Sequence, residues 1–228
     1  MNSKTRIIRS LDMKQLAAYI TRQVNHFFPD PNPLDEERML SYLQHADERI
    51  LACFGGVHKK YFNHQGCITI NHLHSDQYCM YLNMMARHSF KEEEDEMTAT
   101  KLYYLNKALH AVDIYYTVEL PESFLFVHPV GSVLGPAKFG GFFVMYQNCL
   151  VGCLNDQVFP QFEGRTILYA GATVLGHCNI GDNCIFAAHS HTVNEKIKSN
   201  TVVIGGVPNI RMIANSTDFF QRPPFVYA

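Results

Sequence analysis

The stretch 167–193, ILYAGATVLGHCNIGDNCIFAAHSHTV, decides the fold. Read in steps of six, Leu168, Val174, Ile180 and Phe186 share one register, with small residues and occasional branched ones between them. Six-residue periodicity with a single large apolar residue per step is the signature of a parallel β-helix. Each hexad forms one flat face, and its apolar side chain points to the axis. Glycine and alanine let the corners turn tightly. Upstream, residues 130–152 keep the flavour in VGSVLG and NCLVG but lose strict phase, as loops between coils would cause. About four coils are expected, few for an independent monomer, so a homo-oligomer is implied.

Before residue 117 the period is helical. Met13, Leu16, Ala17, Ile20, Val24 and Phe27 form one stripe, and Met39, Leu40, Leu43, Ala46, Ile50 and Phe54 form another. PDPNPLDEE breaks the chain between them and supplies an acidic first turn, and Gly55 with Gly56 closes the second helix. A third helix starts at Ser75 or Asp76, either of which can cap DQYCMYLNMMAR, and a fourth covers roughly 98–112. KEEEDE between them reads as a solvated face. The expected class is α+β: a helical domain over 1–116, a β-helix over 117–212 and an aromatic tail over 213–228, with Phe219, Phe220 and Phe225 packing on a neighbouring prism or on the helices.

Composition limits the partners. With 19 basic and 21 acidic side chains the chain has no long-range attraction for nucleic acid or an anionic membrane. Seven cysteines without a CxxC pair, and no apolar leader before them, predict a reduced, cytoplasmic setting. Every apolar stretch falls short of the roughly 18–20 residues that cross a bilayer. A small-molecule partner is expected.

The order HPVG, VLGPAKFGG, VMYQNCLVG, an irregular insertion, ILYAGATVLG, IGDNC and VVIGGVPN resembles the serine acetyltransferase branch of the left-handed β-helix, or hexapeptide-repeat, acyltransferases over roughly 115–212. The resemblance implies a left-handed prism, a trimer or hexamer, and acetyl-CoA bound as substrate in the groove between neighbouring prisms. It places His128 on the family's catalytic histidine. Imidazole suits a general base, because an alcohol must lose its proton as it attacks a thioester. It also places Asp76, in NHLHSDQY, on an aspartate that reaches the acceptor, with His72 and His74 beside it as substrate-binding candidates. For acetyl-CoA the matching small residues are Ala170, Gly171, Ala187, Ala188, Gly205 and Gly206. Lys196, Lys198 and Arg211 are cations that could meet its phosphates.

Two departures bear on the acceptor. The family's aspartate before the histidine is Val127 here, and a second active-site histidine of an H-P pair is Phe159, followed by Pro160. An apolar wall of Phe159 and Phe162 points to O-acetylation of a larger hydroxyl acceptor, such as a polysaccharide sugar or sugar nucleotide. The alternative is serine O-acetylation for cysteine biosynthesis. His177, His189 and His191 raise a zinc hydratase related to β-helix carbonic anhydrases, though their spacing is wrong for it and no metal is expected. An inactive scaffold is the remaining reading.

Overall fold

A computed structural model describes residues 6–55, 57, 62–64, 66–155, 157–222 and 224–225. Gly56 therefore lies outside the described residues. The chain forms two compact units, Met1–Leu109 with Pro223–Ala228, and His110–Arg222.

In the first unit α1 (Met13–Phe27) starts at a capping box between Asp12 and Gln15 and buries Leu16, Ala17, Ile20 and Val24 of its stripe, while Phe27 at the helix end is exposed. α2 (Glu36–Gly55) buries Met39, Leu43, Ala46, Ile50 and Phe54. α3 (Ser75–Lys91) is the central helix, buried continuously from Asp76 to Ala86. Ser75 and Asp76 are inside it: the cap position is His74, with no side-chain cap bond. α4 is Glu96–His110, two residues earlier at each end than the sequence suggests. A small sheet was not foreseen: β1 (Arg6–Arg9) pairs in parallel with β3 (Cys67–Ile70), and β2 (Asn63–His64) lies antiparallel to β3. Arg9 grips Asp47 with two bonds of 2.7 Å, and the Tyr81 hydroxyl donates to the same carboxylate at 2.6 Å. The charges on β1 and α2 thus satisfy one another, with the neutral Tyr81 hydroxyl of α3 as a further donor.

The second unit is a three-faced parallel β-helix. One face stacks β4 (Asp113–Ile114), β6 (Val133–Leu134), β9 (Leu150–Gly152), β12 (Thr173–Leu175) and β15 (His191–Val193). The next holds β5 (Ser123–Phe126), β8 (Phe142–Met145), β11 (Thr166–Leu168), β14 (Cys184–Phe186) and β17 (Thr201–Ile204), closed by β18 (Arg211–Ala214). The third holds β7 (Lys138–Phe139), β10 (Gln161–Phe162), β13 (Asn179–Ile180) and β16 (Lys196–Ile197). All pairs on these faces are parallel except β17 with β18. The hexad residues Leu168, Val174, Ile180 and Phe186 are fully buried, one per face in turn.

The solenoid begins before residue 117, because β4 belongs to its ladder, and it has five parallel strands on each of two faces rather than about four coils. Residues 213–222 also belong to it. Arg165 holds Asp182 in a bidentate pair and stands over the Phe219 ring, while Phe219 and Phe220 pack on Phe142 at 6.0 and 5.8 Å. These two aromatics pack on their own prism. No helix among the described residues is long and apolar enough to cross a membrane.

Candidate active site

Between the second face and the first, the chain turns the same way on successive coils. Residues 129–132, 169–172 and 187–190 close i to i+3 bonds of 3.1, 2.9 and 3.0 Å, with Gly131, Gly171 and His189 at positive φ. That is a type II turn, which places a left-handed residue third. At 146–149 Asn148 takes this place, and Ser132 Oγ bridges the ends, accepting from Cys149 N–H and donating to the Tyr146 carbonyl. The turns stack by hydrogen bonds between their central peptides: Asn148 N–H to Val130 O, Gly171 N–H to Gln147 O and His189 N–H to Ala170 O, at 2.8–2.9 Å. Glycine is required beneath a side chain here: a Cβ on Gly171 would lie 2.5 Å from His189 Nδ1.

The ladder leaves one set of donors unused. The backbone N–H groups of Val130, Gln147, Ala170 and Ala188, each the second residue of its turn, find no acceptor among the described residues. They recur at the coil spacing of about 4.8 Å. The alanines leave them open, so the corner is a shallow channel lined by unpaired donors.

His128 stands at one end of that channel, on an irregularity. The register step is 19 residues from Phe126 to Met145 but 17 from Val133 to Leu150, so this corner holds two residues more than the one above it. The two are Val127 and His128. Val127 continues the ladder, its N–H donating to Met145 O at 2.9 Å, and turns inward to 1% exposure. His128 follows at φ 52°, exposed, and the turn then starts at Pro129. A non-glycine residue in this region is held against a local cost, a pattern that concentrates at functional sites. The half-buried Asp113 was missed in the sequence. Its N–H donates to Ser132 O at 2.9 Å and Gly131 N–H to Ala111 O at 2.8 Å, so 111–113 runs beside the segment that follows His128. Only its place in β4, outside every motif, could have signalled it.

The other candidates divide by location. Ala170, Gly171, Ala187 and Ala188 line the corner; the Ala187 N–H is used by Val203 O, and that of Gly171 by the ladder. Gly205 and Gly206 lie one coil further, where His191 N–H donates to Gly205 O at 2.9 Å. Lys196 is exposed on the third face, not at this corner, and Arg211 is exposed on β18 opposite Ile204. Phe159 lies in the insertion with its ring against Gly135, where a Cβ would meet it at 2.6 Å. Phe162 is core, stacked on Phe139 at 5.3 Å and 4°, so it is not part of an acceptor wall.

Asp76 belongs to the helical unit, 1% exposed in the first turn of α3. His72 and His74 lie just ahead of α3, within the segment 71–74. They lie in a turn in which His74 N–H donates to Asn71 O at 2.9 Å. The His72 ring is 2.8 Å from Ser10 Oγ and edge-on to Tyr19. Among the described residues no group of three or more His, Cys, Asp or Glu is placed to hold a metal ion. Burial pushes the Cys149 thiol up to about 11, which keeps it neutral and leaves it no nucleophilic role at this corner.

No family model matches the chain. A serine acetyltransferase of Synechococcus elongatus is 30% identical over 111 residues, 47% of this chain and 45% of that protein. The match thus spans less than half of that relative. Soybean serine acetyltransferase complexed with serine superposes with a TM-score of 0.69 at 16% identity, over 90% of this chain and 85% of that one. Serine acetyltransferase of Brucella abortus strain S19 in complex with coenzyme A gives 0.67 at 14%, over 91% and 84%. These likenesses show the fold: N-terminal helices followed by a left-handed parallel β-helix.

Proposed function

We propose that this chain is an acetyl-CoA-dependent O-acetyltransferase whose first acceptor is L-serine. The observation that carries the reading is His128 on a two-residue bulge at the end of a channel of unpaired backbone donors. The relatives support the substrates. The matched relative is a serine acetyltransferase, and of the two superposed enzymes one is complexed with serine and the other with coenzyme A.

In the proposed mechanism the free N–H groups of Ala170 and Ala188 receive the amide carbonyls of the pantetheine arm, which delivers the thioester to the bulge. His128 takes the acceptor proton as the hydroxyl oxygen attacks the carbonyl carbon, and Asp113 orients the imidazole from the adjacent strand. Collapse of the tetrahedral intermediate breaks the C–S bond, and CoA leaves with the proton from His128. Asp76 is proposed to hold the acceptor. Gly205, Gly206, Lys196 and Arg211 remain candidates for the far end of acetyl-CoA. The exposed apolar residues Val130, Val133 and Val158 support assembly as a homotrimer, since a second copy would cover them.

A second acceptor is kept by one observation. The resemblance implies that Phe159 and Pro160 replace an H-P pair of the serine enzymes, and the Phe159 ring lies on Gly135 beside the first face. An apolar edge there favours a larger hydroxyl acceptor, such as a sugar or sugar nucleotide. Thiol release from acetyl-CoA, measured with L-serine, L-homoserine and sugar nucleotides in parallel, tests both. Preference for serine supports the main reading, preference for a sugar the second, and no release with any acceptor refutes acetyl transfer.

A further inference from the structure

The corner beside His128 carries a polar side chain that the fold does not use. Gln147 is the second residue of the turn 146–149, in the outward column continued by Ala170 and Ala188. Among the described residues its carboxamide makes no hydrogen bond, and its oxygen is buried without a partner. The nitrogen of the same group is not among the buried unpaired atoms, so the N–H side is the one that faces outward. Leaving an amide oxygen buried and unpaired is unfavourable. Alanine, which cannot incur that cost, fills the same position on the next two coils. The polar residue therefore appears in the column only on the coil next to the bulge.

Position ties it to the base. Val127 N–H donates to Met145 O and Asn148 N–H to Val130 O, each at 2.9 Å, so 145–148 runs alongside 127–130. The two segments are one coil apart, about 4.8 Å. A base that takes the acceptor proton and a donor that meets the carbonyl oxygen must converge on one carbon from about 3 Å. Side chains leaving adjacent coils at one corner are placed to do so. The backbone N–H groups of Asn148, Gly171 and His189 are committed to the ladder, and the open ones of Ala170 and Ala188 are assigned above to the pantetheine arm.

We propose that the Gln147 carboxamide is the oxyanion donor, an assignment that rests on the acetyl-transfer reading above. As the acceptor oxygen bonds to the carbonyl carbon and its proton passes to His128, the carbonyl π electrons move to the oxygen that receives the Gln147 N–H. When the C–S bond breaks they return, the hydrogen bond weakens, and the sulfur leaves with the proton held by His128. The amide is needed most in the transition state and little in the ground state.

The test is kinetic. Gln147→Met keeps the length and removes the donor; Gln147→Ala copies the residue that the next two coils use. With the best acceptor of the panel, both variants are expected to lose roughly 10²–10³-fold in kcat. Acetyl-CoA binding by calorimetry and the acceptor KM should change by less than about threefold, as for an interaction made only in the transition state. The acidic limb of the pH profile, set by the base, should stay in place. Wild-type kcat in either folded variant overturns the proposal and leaves acetyl transfer standing. So does a raised acceptor KM at unchanged kcat, which would assign the amide to acceptor binding. No transfer by the wild type with any acceptor overturns both.

Discussion

Replacing His128 by glycine and, separately, by alanine divides what its backbone does from what its imidazole does. At φ 52° a residue with a Cβ is in the left-handed region, at a cost of roughly 1–2 kcal/mol. Glycine escapes that cost but gives back about 0.5–1 kcal/mol through the extra freedom of its unfolded chain. Both variants lose the same imidazole contacts, so the backbone difference stands alone: H128G is expected to be about 0.5–1 kcal/mol more stable than H128A. For a chain of 228 residues that is a Tm gap of about 1–4 °C in calorimetry. Acetyl transfer should fall by roughly 10²–10⁴ in both. Asn200, at φ 56° on a different corner, is the control: its Gly and Ala variants should show the same gap with activity kept. An alanine variant as stable as glycine at 128 refutes the strained bulge, and either variant retaining more than about a tenth of wild-type activity refutes the base.

Gly164→Ala places a Cβ 2.7 Å from the Asp182 Cα, a backbone clash that no rotamer relieves, so urea unfolding should show a loss of about 3 kcal/mol. Asp182 is held down to about 2, chiefly by its hydrogen bonds from Arg165, so its contribution is present above the ordinary carboxylate range and lost as pH falls toward 2. Asp182→Asn should therefore melt below wild type at pH 7, by about 1 kcal/mol for so exposed a pair, and the gap should close between pH 4 and 2; a constant gap would contradict the assignment. Gly135→Ala pushes on the Phe159 ring and is expected to change the acceptor KM more than the acetyl-CoA KM; equal changes would remove Phe159 from the acceptor side.

The hexads were legible where the register step is regular. Leu168 to Phe186 is 18 residues and Ile185 to Val202 is 17, near three hexads, and there the sequence names the inward residues correctly. Where the step is 23, from Val151 to Val174, or 20, from Asp113 to Val133, the period dissolves, and the first coil was missed for that reason. Motif position located His128 but not its geometry. That Val127 turns inward follows from ladder pairing, which no single segment encodes. Phe162 shows the same limit: its sequence neighbour Phe159 is half-exposed, while Phe162 is an inward residue of β10. Gln147 gave no signal at all, since an unpaired amide is recognised only when every possible partner is in view.

A β-helix is a pattern that its own end invites to continue, because the last coil presents open strand edges to any second copy that arrives in register. β18 answers this on one of the three faces. It runs antiparallel to β17, pairing Thr201 with Ala214 through Ile204 with Arg211, and so meets a newcomer with strand polarity opposite to that of the two faces beside it. A stacked copy could match the parallel edges or the reversed one, but not all three together. The reversal acts as a stop against fibre growth, and a chain shortened before Arg211 should reveal it by polymerising end to end.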